Sequence, residues 1–83
     1  MKITLKLFAT LEEYLPPSGA HNVAGMEVAQ GSTIGQVVDG LGIPRAQLHM
    51  VLVNGHHVPA EEIDARRLKP DDVLAIWPPV AGG

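Results

Sequence analysis

The sequence predicts one small α+β domain, with a mixed sheet of four to five strands and one main helix packed across it. Three observations favour this class. Apolar and polar residues alternate over the first eight residues, as in a half-buried strand. Residues 34–41 carry apolar side chains at helical spacing. A third apolar run ends in Asn54-Gly55, the dipeptide that most favours a tight type I′ hairpin turn.

The first half of the chain is predicted to hold two strands separated by a long loop. Residues 1–8 place three aliphatic side chains on one face of a strand and Phe8 on the other. Residues 9–15 can form a short helical turn before two prolines break the chain. Residues 23–29 are predicted to form the second strand, which pairs with the first as a hairpin.

The helix has the strongest local pattern in the sequence. Its apolar residues fall at i, i+3, i+4 and i+7: Ile34, Val37, Val38 and Leu41. Thr33 and Gln36 have the spacing of a capping box, and Gly42 stands where a glycine commonly ends a helix. Two glycines inside the helix cost up to about 1 kcal/mol each. We therefore expect this helix to depend on packing against the sheet.

The second half of the chain is predicted to hold a hairpin and a final strand. The hairpin joins a strand over residues 48–53 to a short return strand at 56–58, and Pro59 fits the end of an edge strand. A helical turn is predicted over residues 60–65. Residues 73–77 form the last strand, which is apolar on both faces and so is expected in the middle of the sheet.

The sequence ends on Pro78-Pro79-Val80-Ala81-Gly82-Gly83. A frayed terminus is the ordinary explanation of a Gly-Gly ending. Two prolines directly after a strand favour an extended path, and glycines can pass through a slot that other residues would block. We predict a domain over residues 1–77 and a flexible C-terminal Gly-Gly tail over 78–83 that presents the Gly83 carboxylate. Chemistry at that carbon needs activation, most simply adenylation with ATP.

Composition limits the chemistry of the domain itself. The chain has no cysteine, which excludes disulfides, zinc thiolate sites and thiol catalysis by this chain. A net charge of −3 disfavours nucleic acid as a partner, because phosphate binding calls for a basic patch. No apolar run is long enough to span a membrane, and the first residues lack the features of a signal peptide, so we expect a cytoplasmic protein.

Clusters of polar residues favour ordinary solvated surfaces. His56 and His57 are adjacent on a strand and point to opposite faces, so no metal site is predicted there. The basic cluster at residues 66–69 is expected to be solvated or paired with neighbouring aspartates, Asp64 among them. Trp77 is either a core residue of the last strand or, with Phe8, an exposed anchor for a partner.

Four segments carry a resemblance to a known family. They are MEVAQGSTI at 26–34, LVNG at 52–55, LKPDDV at 68–73 and LAIWPPVAGG at 74–83. Together they resemble the MoaD/ThiS family of ubiquitin-like sulfur carriers, and the ending is closest to the molybdopterin branch. The resemblance implies a ubiquitin-like β-grasp fold in which the first strand lies parallel to the last. The chain departs from the family at Asp71, where glycine is common, and at Trp77, where phenylalanine is common.

The resemblance also implies a function for the tail. An activating enzyme would use ATP to adenylate Gly83, and a sulfurtransferase or cysteine desulfurase would convert it to a thiocarboxylate. The sulfur would then pass to a cyclic pyranopterin precursor in the large subunit of molybdopterin synthase, for a molybdenum or tungsten cofactor. The chain would bind no cofactor and would be no enzyme on its own. The residues expected to thread the partner's active site are Pro78, Pro79, Val80, Ala81 and Gly82.

The residues leave three alternatives open. A thiamine-type sulfur carrier and a ubiquitin-like modifier, which forms isopeptide bonds with lysines, would both start from the same adenylate. The third alternative is an inert β-grasp interaction domain. In the molybdopterin scheme, Trp77 and Phe8 are the expected docking residues on the domain.

Overall fold

The computed structural model describes residues 1–17 and 19–79. These residues form five strands and one α-helix: β1 (Lys2–Leu7), β2 (Val23–Glu27), α1 (Ile34–Leu41), β3 (Met50–Val53), β4 (His56–His57) and β5 (Val73–Trp77). Short 3-10 helices cover Ala9–Tyr14, Arg45–Gln47 and Ala60–Glu62. The predicted order and type of the elements are confirmed. No helix in the part of the chain that the structure describes is long and apolar enough to cross a membrane.

The sheet has the strand order β2-β1-β5-β3-β4. β1 pairs parallel with β5, and the other three pairings are antiparallel. The last strand is therefore central, as its two apolar faces predicted. Because β1 and β5 run in the same direction, their C-terminal ends lie side by side at one end of the sheet. We call this the exit edge and define it by Phe8, Met50 and Trp77.

The core fills the space between α1 and one face of the sheet. The buried side chains on this inner face come from the three central strands: Ile3, Leu5, Leu7, Val51, Val53, Leu74 and Ile76. They pack against Ile34, Val37 and Val38 of α1 in one hydrophobic cluster. Full burial of such a side chain contributes about 1.5–3 kcal/mol, so this cluster dominates the stability of the domain.

Both ends of α1 have the predicted caps. The Thr33 hydroxyl accepts a hydrogen bond from the Gln36 backbone N–H at 3.1 Å, and the Gln36 side chain accepts one from the Thr33 N–H at 2.9 Å. Gly42 ends the helix with a φ of 80°, a conformation that glycine adopts without strain. The helix is therefore fixed at both ends despite its internal glycines.

Two tight turns lie next to each other at the end of the sheet opposite the exit edge. Asn54 and Gly55 both have positive φ, at 52° and 83°, as the predicted type I′ turn requires. Asp71 has a φ of 68° in the turn that the Asp72 N–H closes on the Lys69 carbonyl at 3.1 Å. Aspartate thus occupies a left-handed position, which it tolerates better than most residues.

A buried carboxylate ties these two turns together. Asp72 is 8% exposed. It accepts hydrogen bonds from the Asn54 side-chain amide at 2.9 Å and from the Lys69 N–H at 2.8 Å. The same Asn54 side chain accepts a bond from the Val73 N–H at 2.9 Å. The hairpin turn and the start of β5 are therefore held in one network whose polar groups are paired.

Arg45 joins three segments on the helix side of the domain. Its guanidinium donates to both carboxylate oxygens of Asp39, each at 3.0 Å, and to those of Asp64 at 2.7 and 3.1 Å. Of the two alternatives for the basic cluster at 66–69, pairing with Asp64 is not observed, and the cationic residues of the cluster are exposed. The 3-10 turn after Pro44 brings Arg45 across α1, whereas Arg67 donates to the Gly31 carbonyl at 2.9 Å.

The two glycines of α1 should respond differently to substitution by alanine. A Cβ at Gly35 would overlap the Asp64 carboxylate and lie 2.8 Å from Nη2 of Arg45, whereas a Cβ at Gly40 meets open space. We expect Gly40→Ala to raise the free energy of unfolding by roughly 0.5–1 kcal/mol through helix propensity. Gly35→Ala should lower it by about 1 kcal/mol because the site is overpacked. Urea denaturation of both variants measures this, and equal stabilisation would contradict the packing at Gly35.

The ion pairs of Arg45 make the free energy of unfolding depend on pH in the acid range. Hydrogen bonds from the guanidinium hold the pKa values of Asp39 and Asp64 below their ordinary range, and the same bonds raise the pKa of Arg45. Since these carboxyls have a lower pKa in the folded chain, their pairing stabilises the fold above the unfolded-chain pKa of about 3.9. That stabilisation is lost as the pH falls through the lower folded pKa.

We therefore expect Arg45→Gln to reduce the free energy of unfolding at neutral pH and to match the wild type in strong acid. Arg66→Gln is the matched control, since it removes the same charge from an arginine that forms no ion pair within the described residues. Urea unfolding across this pH range makes the comparison. A deficit for Arg45→Gln that stays constant into acid would show that the ion pairs are not its cause.

Candidate functional site

The exit edge carries the aromatic pair that the sequence predicted. The rings of Phe8 and Trp77 stack with their centroids 4.1 Å apart and an angle of 4° between their planes. Both residues are half-buried, and Met50 lies opposite Trp77 in the pairing of β3 with β5 with 42% of its surface exposed. Phe8 and Trp77 are thus adjacent, as expected. Their docking role stays a prediction.

The exit edge belongs to a wider surface on the side of the sheet that α1 does not cover. We call this surface the outer face. Its residues are Lys2, Thr4, Lys6, Phe8, Val23, Gly25, Glu27, Met50, Leu52, His57, Val73, Ala75 and Trp77. The three central strands contribute mostly apolar side chains to it. Sequence reasoning missed Met50 and Leu52, although the alternation of β3 with its buried valines could have assigned them to this face.

The described chain leaves the sheet next to the aromatic pair. The Trp77 carbonyl accepts a hydrogen bond from the His49 N–H at 3.0 Å, which holds the last residue of β5 in place. Pro78 is buried and Pro79 is exposed, so the chain reaches the surface between these two prolines. The other predicted tail residues, Val80, Ala81, Gly82 and Gly83, lie outside the described residues. Their predicted roles remain predictions.

The other candidate groups do not converge on a catalytic arrangement. Within residues 1–17 and 19–79, no group of three or more His, Asp or Glu side chains is placed to hold a metal ion. A shallow pocket beside β4 is lined by Arg45, His49 and His57 above aliphatic residues. Its guanidinium is already engaged by two carboxylates. Among the described residues, the exit edge is therefore the strongest candidate for a functional surface.

The stacked pair should contribute more to stability than the sum of two apolar contacts. We expect a double-mutant cycle of Phe8→Leu and Trp77→Leu to give a coupling free energy of about 0.5–1.5 kcal/mol, since offset or stacked rings gain this beyond burial. The control cycle pairs Phe8→Leu with Val73→Ala, four residues away along β5, and should be additive within about 0.5 kcal/mol. Equal coupling in both cycles would contradict a specific ring contact.

Comparison with known proteins places the chain in a family. The model of the ThiS family matches residues 5–83. No curated protein sequence is significantly similar to the chain. SAMP1 from Haloferax volcanii is 27% identical, with a TM-score of 0.67 and both chains covered over 100%.

Two further solved structures share the fold at lower identity. The thiamine biosynthesis protein ThiS from Geobacter metallireducens is 18% identical, with a TM-score of 0.66 and both chains covered over 100%. The complex of subunits 1 and 2 of the molybdopterin-converting factor from Helicobacter pylori 26695 has a chain that is 16% identical, with a TM-score of 0.61 and full coverage of both chains. With one family model over residues 5–83 and this sheet order, the chain belongs to the ThiS family, with the ubiquitin-like β-grasp fold of MoaD/ThiS sulfur carriers and ubiquitin-like modifiers.

Proposed function

We propose that this chain is a sulfur carrier for the synthesis of a molybdenum or tungsten cofactor, and that its working group is the carboxylate of Gly83. One observation of the fold supports this most. The parallel pairing of β1 with β5 places the stacked pair of Phe8 and Trp77 beside Pro79, where the described chain reaches the surface. A partner that covers the exit edge therefore sits where the tail begins.

The chemistry of a carboxylate requires two partners before sulfur can be delivered. An adenylating enzyme lets a Gly83 oxygen attack the α-phosphate of ATP, which releases pyrophosphate and leaves an acyl-adenylate. A persulfide on a sulfurtransferase or cysteine desulfurase then displaces AMP and forms an acyl disulfide, and a second thiol reduces the S–S bond of that intermediate, which releases the thiocarboxylate and leaves a disulfide on the donor protein. In this proposal Gly82 and Ala81 keep the tail slim, while Val80, Pro79 and Pro78 set its reach.

The molybdopterin pathway is proposed from the ending of the chain. Pro78-Pro79-Val80-Ala81-Gly82-Gly83 resembles the molybdopterin branch more than the thiamine branch. The Helicobacter pylori relative of the fold was solved as a complex of two subunits of molybdopterin-converting factor. We infer that the exit edge docks on the large subunit of molybdopterin synthase, which holds the pyranopterin precursor and its catalytic residues.

A second candidate function is a ubiquitin-like modifier. The 27% identity with SAMP1, a small archaeal modifier protein, over the full length of both chains favours it. The adenylate is common to both functions, and the acceptor differs: a lysine amine would take the Gly83 acyl group as an isopeptide. A denaturing gel of cell extract separates them, since a modifier gives covalent ladders and a pure carrier gives none. A deletion strain that requires thiamine would instead indicate the thiamine pathway.

The proposal predicts a mass change at the tail. With ATP, the activating enzyme and a sulfur source, the wild-type chain should become heavier by the exchange of one oxygen for one sulfur, as read by intact-mass spectrometry. Deletion of Gly83 should abolish the change, because the chain then ends in the Gly82 carboxylate, which is one residue too short to reach the adenylation site. Val80→Ile is the control, since it alters the tail and keeps both glycines. A deletion variant that is still converted at its terminus would overturn the proposal.

A further inference from the structure

The outer face differs in charge from the rest of the domain. The chain carries nine acidic residues and a net charge of −3. Glu27 is the one acidic residue that the strand registers place on the outer face, and it lies at the end opposite the exit edge. Lys2 and Lys6 also point outward from β1. The half of the face next to the exit edge is therefore apolar and cationic on an acidic protein.

Lys6 stands inside this apolar area rather than at its rim. The strand registers place it between Val23 of β2 and Ala75 of β5, with Leu52 on the far side of Ala75. This row lies directly below the Phe8 and Trp77 pair. Lys6 is half-buried and forms no ion pair within the described residues.

Lys2 provides a contrast on the same strand. It points to the same face as Lys6, but its cross-strand partner is the acidic residue Glu27, whose carboxylate lies 3.5 Å from the ammonium group of Met1. The two lysines are four residues apart, which is about 13 Å along a strand. The register therefore gives Lys2 an acidic neighbour and Lys6 apolar neighbours.

We propose that Lys6 strengthens docking on the large subunit of molybdopterin synthase by pairing with an aspartate or glutamate set in an otherwise apolar surface of that subunit. The inference rests on the proposed function, since it assumes that a partner covers the exit edge. A surface that covers Phe8 and Trp77 and continues down the face also covers Lys6, because Val23 and Ala75 flank it on both sides. An ammonium group removed from water without a partner is strongly unfavourable, and a carboxylate opposite it offsets that cost. The acidic remainder of the domain repels the same partner in other orientations.

The test measures how tightly the full chain binds the large subunit of molybdopterin synthase and the activating enzyme from the same organism, by isothermal titration calorimetry. Lys6→Glu should weaken binding by at least about tenfold, as expected for a charge placed against a like charge in an interface. Lys2→Glu carries the same change of net charge and should weaken binding by less than about twofold, the range of a rim charge. In Lys6→Gln, the dissociation constant should depend less on salt concentration than in the wild type.

Three results separate the outcomes. Equal effects of Lys6→Glu and Lys2→Glu would overturn the role of Lys6 while leaving the proposed function in place, because net charge alone would explain them. A wild-type chain that binds neither protein would overturn the docking proposal and this inference together. Urea unfolding of each variant checks the fold, and rescue of Lys6→Glu by a partner variant in which the facing carboxylate becomes lysine would support a direct pair.

Discussion

The parallel pairing of β1 with β5 is the interaction on which the rest of the structure depends. It joins the beginning of the described chain to its end, and the register sets Leu5 beside Leu74 and Leu7 beside Ile76 on the inner face. A slip of β1 by one residue would move Leu5 and Leu7 to the other face, away from Leu74 and Ile76. The same register determines that Phe8 meets Trp77 rather than Ala75. Core and exit edge are therefore two consequences of one alignment.

The helix depends on the sheet for its stability. Eight residues are too few for a stable isolated helix, and two of them are glycines. Gly35 is nevertheless suited to its position, because the Asp64 carboxylate and the Arg45 guanidinium occupy the space of a side chain. Its N–H donates to the Ile63 carbonyl at 2.9 Å, which draws the segment after β4 onto the helix. Gly35 thus lowers the helix propensity of α1, and the close packing that it allows offsets this cost.

Features that depend on neighbouring residues in the sequence were the easiest to predict. The capping box of Thr33 and the turn at Asn54 are local, and the structure has both as expected. The pairing of Asp64 with Arg45 was not predicted, because the nearest cations in sequence lie at 66–69, whereas Arg45 approaches through the fold. The second and third strands are each two residues shorter than predicted. At the start of β3, the Leu48 N–H closes a 3-10 turn on the Arg45 carbonyl at 3.1 Å.

The two faces of the sheet differ in their contribution to the fold. The inner face carries seven aliphatic side chains of the central strands, which pack with the helix in one core cluster. The outer face then keeps a stacked aromatic pair and an exposed Met50 that the fold does not require for closure. Because Pro78 is buried beside the last residue of β5, the direction in which the chain leaves is set by the core itself. A partner that covered the outer face, as we propose, would therefore meet the chain exit in a fixed position.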